Sequence, residues 1–108
     1  LFALTVHAKD VSFNGVKPEV IIDVRTPEEF AAGHIDGAIN IPVEQIGTGI
    51  QTIKELKKSS PILVYCRSGR RSSVAQSTLE KQGYTRILNG GGMDTLAPSL
   101  KNCSKKTC

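Results

Sequence analysis

The stretch Ile62-Leu63-Val64-Tyr65-Cys66-Arg67-Ser68-Gly69-Arg70-Arg71-Ser72 decides the fold. Ile62 to Tyr65 is a continuous apolar run, and a run without polar alternation reads as a strand buried on both faces, as in a parallel sheet covered by helices. A glycine-containing loop follows, and from Ser72 to Gln82 the residues Val74, Ala75, Thr78 and Leu79 fall on one helical face before Gly83 as the C-cap. The same alternation continues outward. Upstream, Ile50, Ile53, Leu56 and Lys57 outline an amphipathic helix that Ser59-Ser60-Pro61 breaks, and Ile39-Asn40-Ile41-Pro42 is a short strand stopped by proline. Val20-Ile21-Ile22-Asp23-Val24 is a second unalternating apolar run, hence another central strand. Thr26-Pro27-Glu28-Glu29 then supplies an N-cap hydroxyl, proline at the first helical position, early acids and the glutamate of a capping box, for a short helix ending at Gly33. Downstream, Thr85 to Leu88 is a strand, Gly90-Gly91-Gly92 a turn, and Met93 to Leu96 the start of a last helix before Pro98. Strands alternating with helices predict the α/β class: right-handed βαβ units, a mainly parallel central sheet and helices on both faces.

At 108 residues the chain fits one globular domain, drawn over residues 9–100, and has no internal repeat. With 39% hydrophobic and 22% charged residues it is neither a disordered tail nor a membrane-spanning protein. The net charge of +4 is concentrated at one end, where Lys101, Lys105 and Lys106 lie in a polar tail over residues 101–108. A nucleic-acid partner is therefore not expected, because no basic face, interleaved aromatics or zinc-finger pattern supports one. Residues 1–8 read either as the remnant of a secretory signal cleaved after Ala8 or as a first strand alternating through Leu4, Val6 and Ala8. Cys103 and Cys108 read either as part of a mobile extension or as a local disulfide, which needs an oxidising compartment. Taken together the two ends point to an exported, periplasmic protein, with a cytoplasmic location as the alternative; eight residues are too few for stable membrane insertion.

Cys66 is the chemically informative residue. It follows a strand directly, where open α/β sheets bind ligands, and it faces the N-terminus of the next helix. Backbone N–H groups of the loop and first helical turn converge there with the positive end of the helix dipole, forming an anion cradle. A cysteine in such a field near arginines has its pKa lowered from about 8.5 and acts as a nucleophile. A core-filling cysteine would give no reason for Arg67, Arg70 and Arg71 to gather beside it. The three cysteines do not match a four-ligand zinc site, and no metal or organic cofactor is expected.

These residues resemble the single-domain rhodaneses, in particular the small exported ones. The resemblance runs from about Val20 to Leu96. It includes Asp23-Val24-Arg25 with Pro27-Glu28-Glu29-Phe30, Gly33-His34-Ile35-Asp36-Gly37-Ala38-Ile39-Asn40-Ile41-Pro42, the loop from Cys66 to Ser72, Gly83-Tyr84, and Gly91-Gly92-Met93. One departure is the absence of the tryptophan that often follows the Gly-Gly-Met turn, so the last helix is expected to pack differently. The resemblance implies a sulfurtransferase: Cys66 takes the sulfane sulfur of thiosulfate as a persulfide, sulfite leaves, and cyanide or a thiol accepts the sulfur. It further implies that the loop amides from Arg67 through Ser68, Gly69 and Arg70 to Arg71 stabilise the terminal sulfur, and that Arg67 and Arg70 bind the donor dianion. Arg71 would fold back to support the loop with Asp23 as partner, while Asp23 and Arg25 read equally as a structural charge pair. His34 falls in a structural turn of the family pattern, which argues against a Cys-His dyad.

Related phosphatases and arsenate reductases use Cys-x5-Arg, whereas Cys66 to Arg71 is Cys-x4-Arg, a tighter ring of amides better suited to a sulfur atom than to a tetrahedral oxyanion. Two further readings stand beside catalysis: a rhodanese-like binding or regulatory module, and a redox role in which Cys103 or Cys108 resolves Cys66. A monomer is the default.

Overall fold

In the computed structural model, residues 11–102 are described; the expectations for residues 1–8 and for Cys103 and Cys108 fall outside them. The elements are β1 (Val11–Ser12), β2 (Val20–Asp23), α1 (Pro27–Ala32), β3 (Ile39–Asn40), α2 (Ile46–Gly49), β4 (Ile62–Cys66), α3 (Arg70–Lys81), β5 (Ile87–Gly92), α4 (Met93–Ser99) and β6 (Lys101–Asn102). A four-stranded sheet has the order β3-β2-β4-β5 with every pair parallel, as expected of the α/β class. Val20 to Asp23 pair in register with Ile62 to Tyr65, so the two unalternating runs lie side by side at the centre.

Side chains alternate across a strand, and both faces of this sheet are covered. Val20 and Ile22 join Ile62, Val64 and Cys66 in one core layer under Ile46 and Ile50 and under Ala75 and Leu79 of α3. Ile21 joins Leu63 and Tyr65 in the other, under Phe30 of α1 and Leu96 of α4. Every residue of β2 and β4 is buried, which is why neither run shows a polar face. Each aliphatic side chain so buried contributes roughly 1.5–3 kcal/mol, so these strands anchor the domain.

Helix α1 forms as its sequence dictates. Thr26 Oγ1 accepts the Glu29 N–H at 3.2 Å, and Glu29 Oε1 accepts the Thr26 N–H at 3.0 Å. Pro27 opens the helix and the Gly33 N–H closes it on the Phe30 carbonyl at 3.2 Å.

Four local expectations are corrected. The helix expected from Ile50 to Lys57 lies earlier: 3₁₀ turns at Val43–Gln45 and Ile50–Thr52 flank α2, and the chain turns after Ile53. Ile46, Ile50 and Ile53 hold the buried face at helical spacing, while Gly47 and Gly49 keep the helix short. Helix α3 starts at Arg70 and ends with Gln82 as its cap, Gly83 following at φ 99°. Its core face is Ser72, Ala75 and Leu79, so Val74, one position round the helix, is 54% exposed and Thr78 half-buried. The glycine run is strand rather than turn, β5 continuing to Gly92 opposite Cys66 after a register shift between Val64 and Cys66. A bulge of this kind bends the strand at its end. Pro98 lies within α4, whose end at Ser99 limits the cost to a bond in the last turn.

Where the family tryptophan is missing, α4 buries Leu96 against Gly90 and Leu63. Lys101–Asn102, the start of the polar tail, pairs antiparallel with β1.

Candidate active site

Cys66 is the last residue of β4, at the carboxyl edge of the sheet, a free thiol 0% exposed. Arg67 and Ser68 follow it, exposed, and Gly69 turns the chain into α3 with φ 94°, a left-handed conformation that glycine adopts without strain. That turn aims the Gly69 N–H at the sulfur, N to Sγ 2.8 Å. The Ser72 hydroxyl lies 3.6 Å from Sγ on the first turn of the helix. Burial pushes the Cys66 thiol up; the Ser72 hydroxyl and the Ser72, Gly69 and Ser68 amides outweigh it and hold the thiol below its ordinary value. Hydrogen bonding to the charged form is thus the main lever, where the sequence pointed to arginine as well.

The arginines divide the space around the loop. Arg67 lines a cleft of about 200 Å³ with Arg25, Glu29, Ala32, Met93 and Asp94. Arg70 is exposed at the helix start. Arg71, expected to pair with Asp23, has Glu29 as its partner, with Nη1 to Oε1 at 2.7 Å and Nη2 to Oε2 at 3.1 Å. Arg71 brings the Glu29 carboxyl, already held by Thr26, down to about 2. The pair ties the N-terminus of α1 to that of α3 across the cleft. Asp23 instead belongs to Arg25, bound by Nε at 2.9 Å and by Nη2 at 2.6 Å. This pair is structural: Asp23 is fully buried, and Arg25 also donates to the Gly33 carbonyl at 2.6 Å. Asn40 Nδ2 closes the arrangement on the carbonyls of Asp23 and Arg25, both at 3.0 Å.

His34 takes no part in the loop. Its Nδ1 is 2.8 Å from the Phe30 carbonyl and its ring stacks on Phe30 at 3.7 Å. Among the described residues no group of His, Cys, Asp and Glu side chains is placed to hold a metal, and no helix is long and apolar enough to cross a membrane. A larger cavity of about 520 Å³, bounded by Val11, His34 and α4, contains none of the loop residues.

The sequence did not place Glu29, Ser72 or Asn89 in the site as partners of its side chains. Glu29 was legible as a capping residue, and Ser72 stood near the start of a helix that faces the cysteine. Asn89, which binds Ser72 from another strand, carries no local signal.

The chain is similar to known proteins in sequence and in fold. The family model of the rhodanese-like domain matches residues 8–95. The chain is 41% identical over 81 residues to the thiosulfate sulfurtransferase PspE of Escherichia coli, covering 74% of this chain and 77% of that protein. It is 42% identical over 88 residues to a putative mitochondrial thiosulfate sulfurtransferase of Schizosaccharomyces pombe, covering 72% of this chain and 62% of that protein. Among solved structures, a rhodanese with anions from E. coli superposes with a TM-score of 0.68 at 37% identity, over 78% of this chain and 98% of that one. The human single-domain sulfurtransferase TSTD1 superposes with a TM-score of 0.62 at 31% identity, over 68% of this chain and 74% of that one. The chain belongs to the rhodanese-like family.

Proposed function

We propose that this protein is a sulfurtransferase that carries sulfane sulfur as a persulfide on Cys66. The observation that carries this reading is the Gly69 N–H aimed at Sγ from 2.8 Å, beside the Ser68 and Ser72 amides that also favour the charged sulfur. The Cys66 thiolate attacks the outer sulfur of thiosulfate, the new S–S bond forms as the donor's S–S bond breaks, and sulfite departs with the electron pair. Cyanide or a thiol then attacks the outer sulfur of the persulfide and the Cys66 thiolate leaves. This is double displacement through a covalent intermediate. Arg67 and Arg70 attract the dianionic donor, while Arg71 is held by Glu29 and supports the loop.

The test is intact-protein mass after incubation with thiosulfate without reductant, for wild type and Cys66→Ala, followed by cyanide. A gain of one sulfur that requires Cys66 and disappears with cyanide is expected. Absence of an adduct on folded, reduced protein would overturn thiosulfate as donor and turn attention to persulfide donors or to a binding role. The same spectra read the tail cysteines: a pair two hydrogens lighter supports the exported location, and a free pair argues against it.

A further inference from the structure

Behind the sulfur, Ser72, Asn89, Ser73 and Gln76 form a chain of polar side chains that the sulfur-transfer steps do not use. The backbone sets the orientation of the Asn89 amide. The Gly91 N–H, 2.9 Å away, can only donate, so the atom facing it is Oδ1. Nδ2 then faces Ser73 Oγ at 3.1 Å and Gln76 Oε1 at 3.4 Å. The Ser72 hydroxyl is 2.8 Å from the same Oδ1, the nearest of the acceptors around it, and donates there.

Ser72 has a single hydrogen to give. Its oxygen is surrounded by three acceptors: Asn89 Oδ1 at 2.8 Å, the Gly69 carbonyl at 3.0 Å and Cys66 Sγ at 3.6 Å. With the hydrogen on Asn89, the hydroxyl offers the sulfur only lone pairs, which suits a protonated thiol. A thiolate gains the hydrogen only when the hydroxyl turns away from Asn89.

We propose that Asn89 is a positioning residue that acts through Ser72: it holds the hydroxyl hydrogen while Cys66 is neutral and yields it when negative charge sits on Sγ. Asn89 therefore restrains ionisation of the cysteine. The functional meaning rests on the persulfide reading above. In that cycle the charge leaves Sγ for the outer sulfur when the persulfide forms, and the hydroxyl returns to Asn89. Only a hydroxyl rotation is involved. The charged groups around Cys66 are Arg67 in the loop, Arg70 and Arg71 on α3, Glu29 of α1 bound to Arg71, and the Asp23–Arg25 pair at the end of β2. Strand β5 and helix α2 contain no titratable residue. None of these groups is altered in the test.

The test is the pH dependence of iodoacetamide alkylation on the full chain, followed at Cys66 by peptide mass. Asn89→Ala is expected to lower the midpoint by roughly half to one pH unit, the size of one neutral hydrogen bond made available to the charged form. Asn89→Asp keeps the acceptor, adds negative charge and is expected to raise the midpoint. Opposite shifts at one position are not what a general loosening of the loop produces. In a Ser72→Ala background, Asn89→Ala is expected to shift nothing further. A folded Asn89→Ala protein with an unchanged or raised midpoint overturns the proposal, as does the same downward shift without Ser72. If Asn89→Ala does not fold, a midpoint that fails to rise in Asn89→Asp overturns it. Alkylation needs no sulfur donor, so failure of sulfur loading and failure of this inference are read separately.

Discussion

Replacing Gly92 with alanine adds one methyl group, and the geometry states where it lands. The new Cβ would lie 2.5 Å from the carbonyl oxygen of Arg67, 3.3 Å from its carbon and 3.7 Å from Ser68 Cα. An ordinary contact needs about 3.5 Å, so on the order of 1 Å must be found. The obstacle is the backbone of the loop over Cys66, not the end of a flexible side chain. Gly92 has φ −85° and ψ 146°, which alanine adopts freely, so the cost is steric and falls on the loop. Overpacking of this kind costs about 1–3 kcal/mol, and each 1 kcal/mol lowers the Tm of a domain this size by roughly 4–8 °C. A loop displaced by about 1 Å loses on the order of 10²-fold in rate, because the amides no longer meet the sulfur. The assay is the rate of sulfur gain from thiosulfate by intact mass, well below the melting temperature. Gly90→Ala is the control. Its Cβ would meet Leu96 Cδ2 at 2.8 Å and Leu63 Cδ1 at 3.2 Å, ends of side chains on the core, so stability falls while the loop stays in place. A Gly92→Ala protein that loads sulfur at the wild-type rate, or a Gly90→Ala protein that loses as much, would refute the reasoning.

Glu29→Gln is expected to destabilise the fold by roughly 1 kcal/mol at neutral pH, a figure kept small because solvent reaches both partners of the Glu29–Arg71 pair. The folded carboxyl titrates near 2 and the free one near 4.5, so its contribution is present above 4.5 and fades as pH falls toward 2. Urea unfolding across that window should show the two proteins converging at the acid end; a constant gap would count against the ion pair. Asp23→Ala leaves the Arg25 guanidinium buried without its carboxylate and is expected to cost about 3–5 kcal/mol by chemical denaturation. A loss under 1 kcal/mol would show that water or the Gly33 carbonyl compensates.

The central strands, the first helix and the place of Cys66 at a strand end were legible in the chain itself. Val20 to Asp23 and Ile62 to Tyr65 lack alternation because both faces of their sheet are covered, and the capping box at Thr26 and Glu29 is a bond between near neighbours. The same locality placed Cys66 at a strand end facing a helix. Where sequence and structure part, the determining contact spans the fold. Arg71 meets Glu29 rather than Asp23 because α1 and α3, on opposite faces of the sheet, start after neighbouring strands at its carboxyl edge, where the long side chains of their first turns meet, while Asp23 is occupied by Arg25. The glycine run looks like a turn in isolation. It is a strand because it pairs with β4, and it is glycine at 92 because the Cys66 loop leaves no room for a side chain there. Asn89 reaches Ser72 only through the pairing of β5 with β4 and the seating of α3 on the same face. Hydrophobic pattern, caps and strand ends depend on residues a few positions apart, so the sequence by itself determined the α/β class, the two central strands, the capped first helix and the place of Cys66 at a strand end. Which polar groups surround that sulfur depends on the register of strands and the docking of helices, distances that no local spacing encodes, and that part only the tertiary structure decided.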